Sequence, residues 1–314
     1  MPRPVIIDMD AGVDDALAIV LAIRSPEVDL RAITAVSGNV HVDKTSLNAL
    51  RVLEALQIST VPVAKGAAKP ILRELETGEG FHGSDGLGES GLSMPRLELD
   101  RRHAVDLLLK ETAANPKRIT VVATGPLTNI ATVLLRDPHF AENVERLVVM
   151  GGAYGLTPYG YGNITPAAEF NMYVDPEAAS IVFRSGIPLT CVGLDVSTDP
   201  KATLTKEMWQ KIERSESAAA KFATRITSRY ITRFGFIHLH DPMVVAAVVD
   251  PTLFTTREYH VDIETAGSLT RGQTIADRRN WLPYGHREPP NASICIGVDG
   301  GRFLRLFAER LTGV

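Results

Sequence analysis

Four carboxylates fall within eight positions near the start of the chain, in the segment VIIDMDAGVDDALAIVLAIR. They are Asp8, Asp10, Asp14 and Asp15, and they surround a single glycine. Capping and dipole compensation at a helix N-terminus explain one or two acidic residues, but four would repel one another without a cation or shared protons. Because carboxylate oxygens are ligands that hard divalent cations prefer, the spacing predicts a metal site.

The apolar residues on either side indicate how the chain positions these carboxylates. Residues 5–7 are apolar as in a buried strand, and residues 16–23 repeat apolar side chains as a buried helix does. The acidic stretch is then the turn between the two elements. In an open α/β sheet, ligands bind at the carboxyl ends of the strands, so we expect the carboxylates at a ligand-binding edge.

Strand-like and helix-like runs alternate along the chain, which predicts a mostly parallel sheet with helices on both faces. The strand-like runs are 5–9, 30–36, 118–123, 146–150 and 187–194, and the helix-like runs are 15–24, 43–56, 103–114, 128–135 and 176–184. Runs such as ITVVAT are apolar throughout, as in strands buried on both faces. No low-complexity linker divides the chain, so we expect one open α/β domain over residues 1–314.

The remaining segments are less regular in sequence. Helical patterns cover 205–233 and 242–249, and a less regular tail begins at 258. Two long glycine-containing loops, 66–100 and 152–168, are of a length that is more often functional than idle in a compact domain.

Composition excludes several functional classes. The chain has 314 residues, 45% of them hydrophobic, and a formal net charge of −4, so nothing indicates a nucleic-acid partner. We find no signal-peptide pattern and no apolar run of membrane-spanning length, and the expected location is the cytoplasm. Cys191 and Cys295 stand in apolar surroundings and are expected to be small core residues rather than a disulfide pair or metal ligands.

Other polar residues follow the predicted strands. Asn39 follows the second strand and Thr124 follows the strand ITVVA, while a second group, Asn163, Glu169 and Asn171, lies in the second long loop. Each of these alone is ordinary turn chemistry.

The sequence HLHDP places His240 directly before Asp241. A carboxylate there can serve a metal while the neighbouring imidazole handles a proton near neutral pH. Asp241 before a proline, at the start of an apolar helix, could equally be a plain N-cap.

Taken together, these motifs resemble the nucleoside hydrolases of the inosine-uridine-preferring type. The family signature DxDPGxDD corresponds here to residues 8–15, DMDAGVDD, in which Ala11 replaces the usual proline. The resemblance continues through Asn39, His82, TGPLTN at 124–129, MGGAY at 150–154, AEFN at 168–171, DPEAA at 175–179, VGLD at 192–195 and HDP at 240–242. It runs in family order over about residues 4–250, and the final sixty residues match more loosely. We expect Ala11 to cost stability rather than a metal ligand.

The resemblance implies a calcium-dependent hydrolysis of the N-glycosidic bond of ribonucleosides. Its metal ligands would be Asp10, Asp15, Asp241 and the backbone carbonyl of Thr124, with Asp10 also the general base. Asp14 would bind the ribose hydroxyls. Asp8 would support the cluster without binding the ion.

The same resemblance assigns the remaining polar residues. The residues that would hold the ribose are Asn39, Asn163, Glu169 and Asn171. The assignment of Asn163 is weaker than those of Glu169 and Asn171, because the loop before it is long. His240 would assist departure of the base. His82 corresponds to a family pocket histidine, the alternative being a solvent-exposed loop residue.

Tyr230 and Phe234 lie four positions apart and would share a helix face, where the resemblance makes them possible base contacts. Core packing is the plain alternative. The segment 234–240 is shorter than in some relatives, which leaves the closure of the base side of the pocket open.

Two other functions stay in view. A phosphatase of the haloacid dehalogenase type also begins with a strand and DxD, but it needs Thr or Val where this chain has Gly12. The second alternative is a nucleoside- or sugar-binding protein without catalysis, and the complete set of acidic residues with His240 argues against it. The preferred base is not determined by the sequence. A homodimer or homotetramer is expected from the resemblance alone.

Overall fold

A central sheet of eight strands organises the computed structural model, which describes residues 1–280, 285, 286 and 288–313. Its strands are β1 (Arg3–Met9), β2 (Val28–Ala35), β3 (Val63–Lys65), β4 (Ile119–Ala123), β5 (Val144–Met150), β6 (Leu189–Val192), β9 (Phe254–Tyr259) and β12 (Ala292–Val298). Two small two-stranded sheets pair β7 (Leu204–Thr205) with β8 (Phe236–Ile237), and β10 (Val261–Ile263) with β11 (Thr274–Ala276).

The strand order in the large sheet is β3-β2-β1-β4-β5-β6-β12-β9. All neighbours run parallel except the edge strand β9, which is antiparallel to β12. β1 lies between β2 and β4, so the chain leaves it in one direction and later returns on its other side. This reversal creates a crevice at the carboxyl ends of β1 and β4, which is where open α/β sheets bind ligands.

Helices cover both faces of the sheet, as the sequence predicts. They are α1 (Val13–Arg24), α2 (Val42–Ala55), α3 (Glu79–His82), α4 (Ala104–Ala114), α5 (Thr128–Arg136), α6 (Phe140–Asn143), α7 (Phe170–Val174), α8 (Pro176–Phe183), α9 (Leu194–Ser197), α10 (Lys206–Glu213), α11 (Ala218–Phe234), α12 (His240–Val249) and α13 (Gly300–Thr312). Side chains of β1 alternate between two cores: Ile7 packs with α1, α2, α11, α12 and α13, and Ile6 packs with α4, α5 and α8.

The structure corrects the bounds of two predicted elements. The helical stretch 205–233 is two helices, α10 and α11, because the polar segment 214–217 interrupts it and Ser217 stands at the start of the second. The strand expected over 187–194 ends at Val192, since Gly193 begins α9.

The tail from 258 is regular after all. It contains β10, β11, β12 and the amphipathic α13, which ends at the left-handed Gly313. β9, which runs into the start of this tail, is mostly exposed along its length, so its pattern gives little periodic signal. Only part of 280–291 lies within the described residues.

Both cysteines are buried and free, as expected, so neither forms a disulfide. Among the described residues, none of the helices has the length and apolar character that crossing a bilayer requires.

Candidate active site

The acidic turn between β1 and α1 is buried at the carboxyl edge of the sheet. Asp8, Asp10 and Asp15 are fully inaccessible to solvent, and Asp14 is 8% exposed. Asp8 faces β2 and α5, where Thr34 Oγ1 and Asn129 Nδ2 donate to its Oδ1 at 2.6 and 2.8 Å. Burial raises the pKa of Asp8 to about 7, against the effect of these two donors.

The Asp10 carboxylate lies close to the backbone of two segments, one at Gly38 and Asn39 and the other at Gly125. The Asn39 N–H donates to its Oδ2 at 2.7 Å, and a Cβ added to Gly38 would overlap that same oxygen. A Cβ on Gly125 would lie 2.9 Å from Oδ1. Within the described part of the chain, Oδ1 is buried and has no hydrogen-bond partner. Since buried carboxylate oxygens are normally satisfied, this atom is a suitable ligand for a cation.

Asp15 is held by three donors from three different segments. The Gly12 N–H (2.8 Å) and Asn39 Nδ2 (3.0 Å) donate to Oδ2, and Thr124 Oγ1 (2.7 Å) donates to Oδ1. The first donor comes from the acidic turn itself, and the other two follow β2 and β4. These bonds fix the orientation of a carboxylate that burial alone would destabilise.

Asp241 joins the cluster from the other end of the chain. It is the second residue of α12, which packs against α1, and one of its carboxylate oxygens lies within 4.8 Å of one oxygen each from Asp14 and Asp15. Burial and the neighbouring carboxylates raise the pKa of Asp241 well above its ordinary value, and burial with Asp15 raises the pKa of Asp14 to about 7. Burial and the neighbouring carboxylates of Asp15 and Asp14 also raise the pKa of Asp10 well above its ordinary value. A divalent cation would relieve this repulsion, so the donor set fits a metal.

Asn171 and Glu169 lie beside this cluster. Asn171 Nδ2 donates to the Thr124 carbonyl at 2.8 Å and to the Met150 carbonyl at 3.2 Å, so it bridges the ends of β4 and β5. Glu169 caps α7: its carboxylate accepts from the Asn171 N–H at 2.9 Å and from the Gly152 N–H at 3.1 Å. In this conformation Glu169 holds backbone rather than an open site.

Asn163 is exposed on the 152–168 loop, and its side chain bonds to the backbone rather than to the acidic cluster. Its Oδ1 accepts from the Phe170 N–H at 2.9 Å. The base of that loop is tied to Asp195, whose buried carboxylate accepts from the N–H groups of Tyr154 (2.7 Å) and Leu156 (2.6 Å). The loop is therefore anchored at its first turn.

Two histidines lie beside the acidic cluster. His82 is only 7% exposed, which excludes the solvent-exposed alternative; its Nδ1 accepts from the Val13 N–H at 3.2 Å and lies 4.0 Å from Asp14 Oδ1. His240 Nδ1 lies 2.8 Å from Ser197 Oγ. Burial lowers the pKa of each imidazole to about 3, so both rings are neutral at pH 7.

Aromatic side chains pack next to His82. The Tyr230 hydroxyl donates to the Phe81 carbonyl, and the two rings pack edge to face with centroids 4.8 Å apart. Tyr230 is buried, whereas Phe234 is 44% exposed with its ring centroid 6.3 Å from that of Tyr230. The core-packing alternative therefore fits Tyr230 better than Phe234. The contact with Phe81 also fixes α3, which carries His82.

Several residues of this arrangement received no role from the sequence. Asn129 belongs to the TGPLTN motif and Asp195 to the VGLD motif, so each had a signal, but its partner was not evident. Ser197 and Thr34 had no distinguishing pattern, because their hydrogen bonds join segments that only the folded chain brings together.

The comparisons with known proteins agree over nearly the full length. The family model for inosine-uridine preferring nucleoside hydrolases matches residues 5–305. The chain is 42% identical to the pyrimidine-specific ribonucleoside hydrolase RihA of Citrobacter koseri, over 99% of this chain and 98% of that protein, and 41% identical to the RihA of an Escherichia coli strain, over 99% of each.

Solved structures give the same result. A plant nucleoside hydrolase, PpNRh1, superposes with a TM-score of 0.93 at 33% identity and covers 100% of both chains. A purine-preferring ribonucleoside hydrolase from Gardnerella vaginalis superposes with a TM-score of 0.90 at 34% identity, over 99% of this chain and 98% of the other. This chain therefore belongs to the inosine-uridine preferring nucleoside hydrolase family and is a ribonucleoside hydrolase.

Proposed function

We propose that the chain, as one catalytic domain over residues 1–314, uses calcium to hydrolyse the N-glycosidic bond of ribonucleosides, releasing free base and ribose for salvage. The observation that carries the proposal is the buried cluster of Asp10, Asp14, Asp15 and Asp241, which faces two neutral histidines at the switch point of the sheet.

Asp10, Asp15, Asp241 and the Thr124 carbonyl would hold the cation. The unpartnered Oδ1 of Asp10 supports this set, as does the mutual repulsion of the carboxylates. Oxygen-only ligands of this kind favour calcium over softer metals. Bound there, the ion would orient a water molecule and the ribose hydroxyls and would lower the pKa of that water.

The carboxylates then divide the work on the sugar side. Asp10 would accept the proton of the attacking water at its carboxylate. Asp14 would accept hydrogen bonds from the ribose hydroxyls, because it is the most exposed member of the cluster, at 8%. Asp8 shares in neither task, since its hydrogen bonds to Thr34 and Asn129 turn it toward the sheet.

Amide groups complete the grip on the ribose. The Asn171 and Asn39 side chains each use Nδ2 within the protein, which leaves their Oδ1 atoms for the sugar. Carboxyl and amide oxygens around the ring favour the positive charge that develops at C1′ and the ring oxygen in an oxocarbenium-like transition state. Glu169 contributes by capping the helix that carries Asn171, and Asn163 reaches the ribose only if its loop shifts.

His240 assists departure of the base. A neutral imidazole carries one N–H, so at neutral pH it donates a hydrogen bond to the leaving base. His82, Tyr230 and Phe234 would line the space for that base, on the support of their packing around α3 and α11.

We propose pyrimidine ribonucleosides as the preferred substrates, since relatives at 41–42% identity over the whole chain are named as pyrimidine-specific. Purine preference is the second candidate, supported by the 34% identical purine-preferring enzyme. We propose a cytoplasmic location, as expected from the sequence, and a homodimer or homotetramer, as the family resemblance implies.

The test is release of free base and reducing sugar from uridine, cytidine, inosine, adenosine and guanosine, before and after calcium removal, beside Asp10→Ala. We expect calcium-dependent release that is fastest with the pyrimidines and lost in the variant. No release from any nucleoside by a calcium-loaded protein would favour the binding-protein alternative. Full activity after calcium removal would contradict the metal proposal.

A further inference from the structure

Ser197 contacts the histidine that is placed at the base side of the site. It is the last residue of α9, which follows β6, and its side chain is completely buried. Its Oγ lies 2.8 Å from His240 Nδ1. Sequence motifs give this serine no role, and its partner lies 43 positions further along the chain.

The hydrogen of the Ser197 hydroxyl has few places to go. Serine and threonine hydroxyls in helices commonly bond a carbonyl one turn earlier, as Thr198 does to the Leu194 carbonyl at 2.7 Å. Among the described residues, the Ser197 hydroxyl has no such carbonyl partner, and His240 Nδ1 is its only hydrogen-bond neighbour.

This limits the protonation pattern of the imidazole. If Nδ1 carried the hydrogen, it would donate to Ser197 Oγ and leave the serine hydrogen buried without an acceptor, which is unfavourable. If the serine donates to Nδ1, both groups are satisfied and the imidazole hydrogen is on Nε2. The hydrogen bond that Nδ1 accepts from Ser197 therefore places the ring hydrogen on Nε2.

We infer that Ser197 is a positioning residue that fixes the Nε2–H tautomer and the ring orientation of His240, so that Nε2 donates to the departing base. The inference rests on the proposed role of His240 in leaving-group departure. Ser197 itself touches neither the base nor the sugar in this scheme, and it acts only through the imidazole.

The support for Ser197 is rigid. Its N–H bonds the Gly193 carbonyl at 3.1 Å, and two positions earlier Asp195 is tied to the backbone of the 154–157 turn. The hydroxyl is therefore held in place before substrate arrives, as a preorganised site requires.

A direct test needs no turnover. Ring ¹⁵N resonances of the histidines, with His240 assigned from a His240→Gln sample, report which nitrogen carries hydrogen. We expect the Nε2–H tautomer in the calcium-loaded wild-type protein and a mixed-tautomer average in Ser197→Ala. A wild-type Nδ1–H tautomer, or an unchanged His240 signal in Ser197→Ala, would overturn the inference.

Kinetics provide the second test. With uridine, we expect Ser197→Ala to lower kcat about tenfold with KM within about twofold of wild type, a fraction of the ~10²–10⁴-fold that general acid–base groups supply. Ser197→Thr keeps the hydroxyl and should restore the rate. Thr198→Val removes a neighbouring hydroxyl whose partners in the described part of the chain are the Tyr159 and Leu194 carbonyls, and it should behave as wild type.

A substrate with an activated leaving group separates positioning from general damage. Because 4-nitrophenolate departs without a proton, Ser197→Ala should hydrolyse 4-nitrophenyl riboside at nearly the wild-type rate. An equal loss on both substrates would overturn the inference. If wild type hydrolyses uridine and Ser197→Ala matches it, only this inference fails, whereas absence of uridine and inosine hydrolysis in wild type refutes the proposed function itself.

Discussion

Thr124→Val should weaken calcium binding while leaving the fold intact. Thr124 Oγ1 donates to Asp15 Oδ1 at 2.7 Å, and both residues are at most 2% exposed. Valine keeps the shape and the backbone carbonyl but removes the donor. A buried hydrogen bond to a charged group contributes roughly 1.5–3 kcal/mol, and about 1.4 kcal/mol is tenfold in an equilibrium constant. The calcium dissociation constant should therefore rise about 10- to 100-fold, the range typical for partners of metal ligands.

Calorimetric titration with calcium measures this effect, beside urea unfolding of the metal-free protein. Thr128→Val is the matched control, because Thr128 lies four positions after Thr124 and its Oγ1 also donates at 2.7 Å to a buried carboxylate, that of Asp175, which is not among the assigned calcium ligands. The control should lose folding stability without losing calcium affinity. If Thr124→Val bound calcium as tightly as Thr128→Val does, Asp15 would not be a calcium ligand and the assigned donor set would be wrong.

Three further outcomes are expected. If Asp14 reads the ribose hydroxyls, kcat/KM for 2′-deoxyuridine should be at least about 10²-fold below that for uridine, and comparable values in a base-release assay would contradict the assignment. Gly12→Ala would place a Cβ 2.5 Å from His82 Nδ1, so urea unfolding should show a loss of about 1–3 kcal/mol, and unchanged stability would argue against this close packing. The Arg102 guanidinium holds the pKa of Asp100 at about 2, a contribution that is present above the unfolded pKa and is lost as the pH falls through the folded one. Because solvent screens this partly exposed pair, unfolding of Arg102→Met should show a deficit of only about 0.5–1 kcal/mol at pH 7 that narrows from pH 5 towards 2, and a deficit independent of pH would refute this linkage.

Local patterns in the sequence were sufficient to predict the elements that position the acidic turn. The strand and helix that flank the acidic turn, and the edge at which the turn lies, follow from apolar periodicity and strand-end chemistry, and the structure confirms them. The residues alone left Asp241 either as a metal carboxylate beside His240 or as a plain N-cap, and the family resemblance favoured the first interpretation.

What the sequence could not predict depends on contacts between distant segments. The break between α10 and α11 involves only a short polar stretch, which helical periodicity tolerates. The burial of His82 depends on Tyr230, which is 148 positions away and donates to the residue before it. Asp195 and Ser197 likewise gain their roles from partners that only tertiary packing supplies.

The acidic cluster combines residues from the first strand–helix turn with Asp241, which lies far along the chain. Binding of the proposed cation would therefore depend on the order of folding. Asp10, Asp14 and Asp15 leave the ribosome early, but Asp241 follows more than two hundred residues later. A nascent or truncated chain that ends before α12 lacks one of the four acidic groups, so it cannot assemble the complete site. If calcium binds as proposed, it would stabilise only the chain in which α12 has docked on α1, so ion binding would report completed folding.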